Sequence, residues 1–582
     1  MRAQAFKAAL WLFSLSLTPQ IYAVTTSYYP ASSPLNSSTL NNATDSPTSS
    51  GNLDILATGN EFFRKETAKT NPGLLRNLTV NGQHPPFMYL GCADSRVSEG
   101  TIFNAKPGTL LVQRNIANQF LSLDDDVQGV FSYAVAELGV AHIIVMGHYG
   151  CGAVGAAIQT PPPTPVDGPR TAVRRFVAPI REIYYASNRT EIVKLRQRNE
   201  RLQHVDFPAF DEPGYRALVE ANIEVNVRRI AESSLIRNLY STRGHDLFIH
   251  GFVYDISDGR VYNLGVSVGP PGVEVPSVPF PLVSVSAIWL FSLSITGRVY
   301  AVTTPYHPES PPFQFSPLGG AGGSSSGLGM LAVGNEIFRT EIAITDPGLL
   351  TNLTVNGQRQ LISRFHILPI DSTRWHLDPQ FLYLGCSDSR VSAGTIFNAK
   401  PGTLFVQRNI ANQFLNLDDD VQAVFSYAVD ELGVSHIIVM GHYGCGGVAA
   451  AIATPPSPPI EGPDTAIQNW ISSIREIYNT SNRTEIVQLR QKNAHLQHVD
   501  PPPFNDPGYR ALIEENVVTG VRRIAESSLI RNLYSTREHD LFIHGFVYDI
   551  SNGRVYNLGV SVGPPGVQIP VVPFPRVPAV HH

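Results

Sequence analysis

At 582 residues the chain is long enough for two or more domains, each with its own buried core. Hydrophobic residues make up 43% and charged residues 16%, a globular balance, and 43 Lys+Arg against 48 Asp+Glu leave a formal net charge of −5. That balance excludes the basic field that holds nucleic acid or an anionic membrane surface.

In chain order, Arg2 and Lys7 flank the start of an apolar stretch, Ala8 to Leu17, with a small residue at Ala23. The order of charge, apolar core and small residue reads as a secretory signal, residues 1–23, and predicts an extracellular protein. Residues 24–51 are rich in Ser, Thr, Asn and Pro and read as a solvated, disordered leader. Glycosylation sequons begin at Asn42, Asn77, Asn188, Asn352 and Asn482, as a secreted glycoprotein would carry.

A first domain is expected over 52–275. Phe87 to Leu90 and Leu110 to Val112 are short apolar runs that read as buried strands. Asp124 to Asp126 then open a helix whose inner face carries Val127, Val130, Phe131, Ala134, Val135 and Leu138, with Gly139 as its stop. Ile143 to Met146 is a further buried strand. Strand, helix, strand at this spacing predicts parallel pairing with helical crossovers. Later, Ala217 to Tyr240 reads as one long amphipathic helix, and His245 to Val268 as a hairpin turning at Ser257-Asp258-Gly259.

The whole unit then repeats. Gly91-Cys92-Ala93-Asp94-Ser95-Arg96-Val97 returns as Gly385-Cys386-Ser387-Asp388-Ser389-Arg390-Val391, and Gly147-His148-Tyr149-Gly150-Cys151-Gly152 as Gly441-His442-Tyr443-Gly444-Cys445-Gly446. A domain-sized period means a tandem pair and not a solenoid. Even the leader recurs: Trp11 to Ser16 reappears as Trp289 to Ser294. Residues 276–327 are therefore read as a linker holding a remnant signal-like segment. Pro276, Pro279 and Pro281 argue against a membrane span there, and Gly319 to Gly327 suits a flexible tether. The second domain is expected over 328–571, with a tail at 572–582. It differs from the first in an extra segment, about 359–380, standing where the first repeat has only His84-Pro85-Pro86.

Each repeat carries Cys-x-Asp-x-Arg and, further on, His-x-x-Cys. Two thiolates and one imidazole suit zinc, and three protein ligands leave the fourth position open, as catalytic sites do. A zinc ion with two thiolates is formally neutral and acidifies water less than a three-histidine site. A neighbouring carboxylate held ionised by an arginine answers that need, since it can accept a hydrogen bond from the reacting oxygen and orient its lone pair. Three other readings stand beside this one. Cys92 and Cys151 could form a disulfide, Asp94 could close a four-ligand structural site, or Asp94 and Arg96 could be an ordinary ion pair.

The motif set Cys-x-Asp-Ser-Arg, Arg-Asn-Ile-Ala-Asn (Arg114 to Asn118) and Gly-His-x-x-Cys-Gly resembles the β-class carbonic anhydrases, in order and spacing, over most of 52–270 and again 330–565. The resemblance implies an α/β fold: two copies of one domain, each a mainly parallel central sheet flanked by helices. It implies one Zn²⁺ per domain on Cys92, His148 and Cys151 and on Cys386, His442 and Cys445. Asp94–Arg96 and Asp388–Arg390 become the dyads serving the zinc-bound hydroxide that attacks carbon dioxide to give bicarbonate. Plant-type members also place a glutamine, an aromatic residue and a tyrosine around substrate, partly from the neighbouring protomer. Gln83 and Tyr133 match in the first repeat, with Leu111 at the aromatic position. Phe405 and Tyr427 match in the second, where the glutamine, Gln358, precedes the extra segment. Tyr149 is one candidate for the proton's exit, bulk buffer another. The family's dimeric assembly implies a homo-oligomer or, in a tandem chain, an internal pseudo-dimer. Two alternatives are a carbonyl sulfide or carbon disulfide hydrolase on the same fold, and a non-catalytic structural or binding protein.

Overall fold

A computed structural model describes residues 50–121, 124–161, 170–242, 244–283, 325–355, 379–415, 418–456, 463–536 and 539–578. The expected signal, nearly all of the leader, most of the linker and residues 359–378 of the extra segment lie outside the described residues.

Among the described residues each repeat builds five strands: β1 (Phe87–Cys92), β2 (Leu110–Asn115), β3 (His142–His148), β4 (Phe248–Asp255) and β5 (Arg260–Val268), then β6 (Phe381–Cys386), β7 (Leu404–Asn409), β8 (His436–His442), β9 (Phe542–Asp549) and β10 (Arg554–Val562). Every residue of β1 to β4 is buried, as a parallel sheet covered on both faces requires. β1 pairs in parallel with β2 and β3, and β3 with β4, while β5 returns antiparallel through a turn at Gly259, φ +71°. The repeats do not form separate sheets. β2 and β7 pair antiparallel at Arg114 and Arg408, giving one ten-stranded sheet in the order β10-β9-β8-β6-β7-β2-β1-β3-β4-β5. The single chain thus forms its own pseudo-dimer, each repeat a mainly parallel sheet flanked by helices.

The repeats also exchange their first helices. Helix Ser50–Thr70 of the first repeat lies on the second, where Asn60 donates to the carbonyls of Ile396 (3.3 Å) and Gly553 (3.0 Å) and accepts from the Val555 N–H (3.2 Å). Helix Ser325–Thr345 reciprocates, with Asn335 bonding to Ile102, Gly259 and Val261. Leu53, Leu56, Phe63 and Leu78 complete a core otherwise made by the second repeat.

Local expectations differ from the structure in four places. The three acids do open a helix (Asp125–Ser132), with Asp124 capping it, but the last turn of the pattern (Tyr133–Glu137) is π-wound. The long helix expected over 217–240 is two helices, Pro213–Ala231 and Ser234–Thr242. Ser233 breaks it, because its hydroxyl bonds back to the Ile230 carbonyl and accepts from the Ile236 N–H. The linker begins later than residue 276: Phe280 is buried against Phe103 and Phe252, and the Asn263 N–H binds the Pro281 carbonyl. In the tail, Phe574 docks in the same way on Phe397 and Phe546. No described helix is long and apolar enough to cross a membrane.

Candidate metal centres

The parallel strands deliver the site residues at their carboxyl ends, where an open α/β sheet has its crevice. Cys92 is the last residue of β1 and His148 the last of β3; Cys151 precedes the helix Gly152–Ile158. Cys386, His442 and Cys445 stand identically in the second repeat. In each trio the ligating atoms lie within 4.8 Å of one another, and all six residues are buried.

The donor chemistry fits a metal ion. All four cysteines are free, and the Cys386 and Cys445 sulfurs are 3.9 Å apart. A disulfide would need about 2.05 Å, whereas two thiolates on tetrahedral zinc at about 2.3 Å stand about 3.8 Å apart. The disulfide alternative is thereby set aside. His148 and His442 are fully buried, and neither Nε2 has a hydrogen-bond partner. The Cys151 thiol hydrogen-bonds to Cys92 and, with His148, draws its ionisation well below the ordinary thiol value; Cys151 is pushed up in return. Two adjacent sulfurs that interact in this way suit a divalent cation, which would displace their protons.

Beside each trio sits the dyad. Arg96 Nε and its terminal nitrogen donate to the two oxygens of Asp94 at 2.9 and 2.6 Å, and its backbone N–H adds a third bond at 2.9 Å. Asp388 and Arg390 repeat this at 2.8, 2.6 and 2.9 Å. Burial pushes both carboxyls up, but the arginines outweigh it: Asp94 is held below its ordinary value and Asp388 at about 2. Asp94 Oδ2 lies 3.6 Å from His148 Nε2, and Asp388 Oδ2 3.9 Å from His442 Nε2, so each carboxylate borders its donor set. The dyads are therefore more than isolated surface ion pairs.

The pocket residues are crossed between repeats. Gln83 Oε1 accepts from the Ser389 N–H and hydroxyl, both at 2.8 Å, which places the first repeat's glutamine beside the second repeat's dyad. Its amide nitrogen reaches the Tyr133 hydroxyl at 3.5 Å. A methyl group added to Gly446, next to Cys445, would meet that hydroxyl at 3.0 Å; one added to Gly152, next to Cys151, would meet the Tyr427 hydroxyl at 2.6 Å. Phe405 stacks on Tyr427 at 5.7 Å, and Leu111 is its counterpart on β2. Gln83, Leu111 and Tyr133 thus belong with the second repeat's trio, and Phe405 and Tyr427 with the first's. The dyad arginines are crossed too, Arg96 reaching the Leu353 carbonyl (3.4 Å) and Arg390 that of Leu78 (3.2 Å). Gln358 lies outside the described residues, but the arm that leads to it serves the first repeat's centre, not the second's.

Sequence reasoning assigned no role to several residues that shape the centres. Arg114 donates to the Cys92 and Asp94 carbonyls at 2.8 and 2.7 Å, and Arg408 to those of Cys386 and Asp388 at 2.8 and 2.6 Å. Both open the Arg-Asn-Ile-Ala-Asn motif, which was the available signal. The next alanines, Ala117 and Ala411, are forced to φ +57°, and the Ala411 N–H reaches Cys386 Sγ at 3.3 Å. Tyr215 and Tyr509 bind the Cys151 and Cys445 carbonyls at 2.6 and 2.7 Å. Tyr149 is committed elsewhere: its hydroxyl donates to Glu220 at 2.7 Å, Arg216 covers its ring, and burial raises its pKa, so it is a poor proton relay.

Residues 87–261 and 381–555 each match a family model described as carbonic anhydrase. A carbonic anhydrase of Emericella nidulans is 34% identical over 189 residues, spanning 32% of this chain and 72% of that protein. One from Candida albicans is 32% identical over 180 residues, 30% of this chain and 54% of that protein. Among solved structures, a tetrameric β-carbonic anhydrase of Sordaria macrospora is 27% identical, covers 37% of this chain and 98% of its own, and has a TM-score of 0.31. A Coccomyxa β-carbonic anhydrase in complex with acetazolamide is 30% identical, covers 37% and 86%, and has a TM-score of 0.29.

Proposed function

The chain belongs to the carbonic anhydrase family, β class, and on that premise we propose that it catalyses the reversible hydration of carbon dioxide to bicarbonate and a proton at two zinc centres, one per repeat. The observation that carries this reading is the pair of buried Cys/His/Cys sets, each bordered by an ionised Asp held by an Arg. Cys92, His148 and Cys151 would hold one zinc ion, and Cys386, His442 and Cys445 the other. Zinc, when bound, supplies the Lewis acidity that makes water nucleophilic near neutral pH.

The chain's own residues do the rest. Asp94 and Asp388, being ionised, can only accept hydrogen bonds, so each would accept one from the reacting oxygen and turn its lone pair toward substrate. Arg96 and Arg390 keep them ionised and, through the Gly150 and Gly444 carbonyls (2.8 and 2.9 Å), tie each dyad to its own His-x-x-Cys turn. Carbon dioxide is small and apolar, and the walls that meet it come from the opposite repeat: Tyr133 and Leu111 at one centre, Tyr427 and Phe405 at the other. At the Cys386/His442/Cys445 centre, the Gln83 amide N–H, beside the Tyr133 hydroxyl, would offer a hydrogen bond to an oxygen of the bicarbonate product.

The test is zinc content together with carbon dioxide hydration by stopped flow, run in parallel with carbon disulfide hydrolysis. The reading predicts two zinc ions per chain, hydration lost on chelation and restored by zinc, and no comparable turnover of carbon disulfide. A zinc-loaded chain that leaves carbon dioxide untouched overturns it.

The chain is further proposed to act outside the cell. The signal-like N-terminus supports this, as do the exposed sequon residues Asn77, Asn188, Asn352 and Asn482. Enzymatic deglycosylation of secreted protein should lower its mass; unglycosylated protein retained in the cell would contradict the proposal.

A further inference from the structure

Among the buried positions at which the repeats differ, one on the seam carries a charge. Glu99 is 2% exposed and lies on the seam; its counterpart in the second repeat is Ala393. One oxygen of Glu99 accepts from Arg114 at 3.3 Å, and the other from Arg408 at 3.2 Å. Ser392, across the seam, adds a bond to the second oxygen at 3.3 Å. Its own counterpart, Ser98, has no carboxylate to meet and bonds to Thr101 instead, at 3.1 Å. Arg114 and Arg408 are 1% and 0% exposed and are the residues that hold the two Cys-x-Asp turns by their carbonyls.

From this geometry we infer that Glu99 is a positioning residue for both metal centres, acting through Arg114 on one and Arg408 on the other. A guanidinium buried without an anion is strongly disfavoured, and the two arginines face each other across the β2–β7 pair. One carboxylate, with one oxygen for each, holds both. A pairing of two second repeats would bring two buried arginines and no glutamate. The second repeat therefore depends on the first for the charge that fixes its own metal-site turn. The seam also favours unlike repeats over two second repeats.

The inference rests on the carbonic anhydrase reading only for its rate measurement; metal affinity reports on it independently. The experiment uses full-length chains with one centre disabled, Cys151→Ser or Cys445→Ser, so that each remaining centre is followed alone. Into each go Glu99→Gln and the exchange pair Glu99→Ala/Ala393→Glu, which moves the single carboxylate across the pseudo-twofold. Zinc affinity is measured by chelator competition, and the thiolate absorption bands of the cobalt-substituted protein report ligand geometry. Glu99→Gln is expected to weaken metal binding about 10- to 100-fold at both centres and to shift the cobalt bands of both. The exchange pair is expected to restore affinity and bands at both to within about threefold of the parent. Loss confined to the Cys92/His148/Cys151 centre overturns the inference, because Glu99 would then serve only its own repeat. If Glu99→Gln fails to fold, the exchange pair decides alone: two intact centres sustain the inference, and failure to recover either overturns it. Loss of carbon dioxide turnover in a parent that binds zinc would sink the activity reading and leave this one standing.

Discussion

Asp126 and Asp420 meet at the seam with no exposure, both within reach of the Gln113 amide (3.1 and 3.2 Å), and Gln407 bonds to Asp126 at 3.0 Å. Burial, then the neighbouring carboxyls Asp418 and Asp124, push both well above the ordinary carboxylate value; Asp418 itself rises to about 6. The folded chain therefore keeps protons that the unfolded chain releases above about pH 4, and stability must fall as pH rises from there toward the raised folded values. Asp420→Asn keeps the shape and removes a titration. Its unfolding midpoint should drop less than the parent's between about pH 5 and about pH 8, ending higher at pH 8. Parallel pH profiles would contradict the assignment. At this scale the sequence is informative where chemistry demands a residue type. Cysteine, histidine, aspartate and arginine at those spacings announced the centres. Arg114 was marked only as the start of a motif and Glu99 not at all, because their partners are carbonyls some twenty residues away or an arginine in the other repeat, and only the fold brings them together.

The strands were legible as short apolar runs because both faces of a parallel sheet are buried, though β1 and β3 extend past their runs to include Cys92 and His148. The exchange of the first helices was not. Helix Ser50–Thr70 carries an ordinary apolar face, and nothing in a period of 3.6 says which repeat that face will cover. Asn60 shows what the exchange costs to undo. Asn60→Ala would leave two carbonyls and the Val555 N–H unpaired in a buried seam, a loss of about 3 kcal/mol. Asn335→Ala should cost about the same at the mirror position. Chemical denaturation measures both, and a loss under about 0.5 kcal/mol would show that the exchanged helix is dispensable. Gly59 sits closer still, since a methyl group there would fall 1.7 Å from the Phe397 carbonyl oxygen. Gly59→Ala must therefore shift the whole helix.

At the scale of the molecule, the duplication was legible from repeated motifs, but its consequence was not. One sheet runs through both repeats, their first helices are traded, and each metal set is walled by the other's side chains. A protease site introduced between residues 284 and 324 should therefore be cuttable without separating the halves. The two fragments are expected to co-elute on gel filtration and to keep the parent's turnover; separation into two species would contradict the continuous sheet. The decisive measurement is carbon dioxide hydration by single-centre chains carrying Gln83→Leu. The Cys151→Ser chain, which keeps only the Cys386/His442/Cys445 centre, should lose most of its rate when Gln83 is replaced. The Cys445→Ser chain should be unaffected. The opposite pattern, with Gln83 serving the centre of its own repeat, would contradict the crossed architecture on which this account rests.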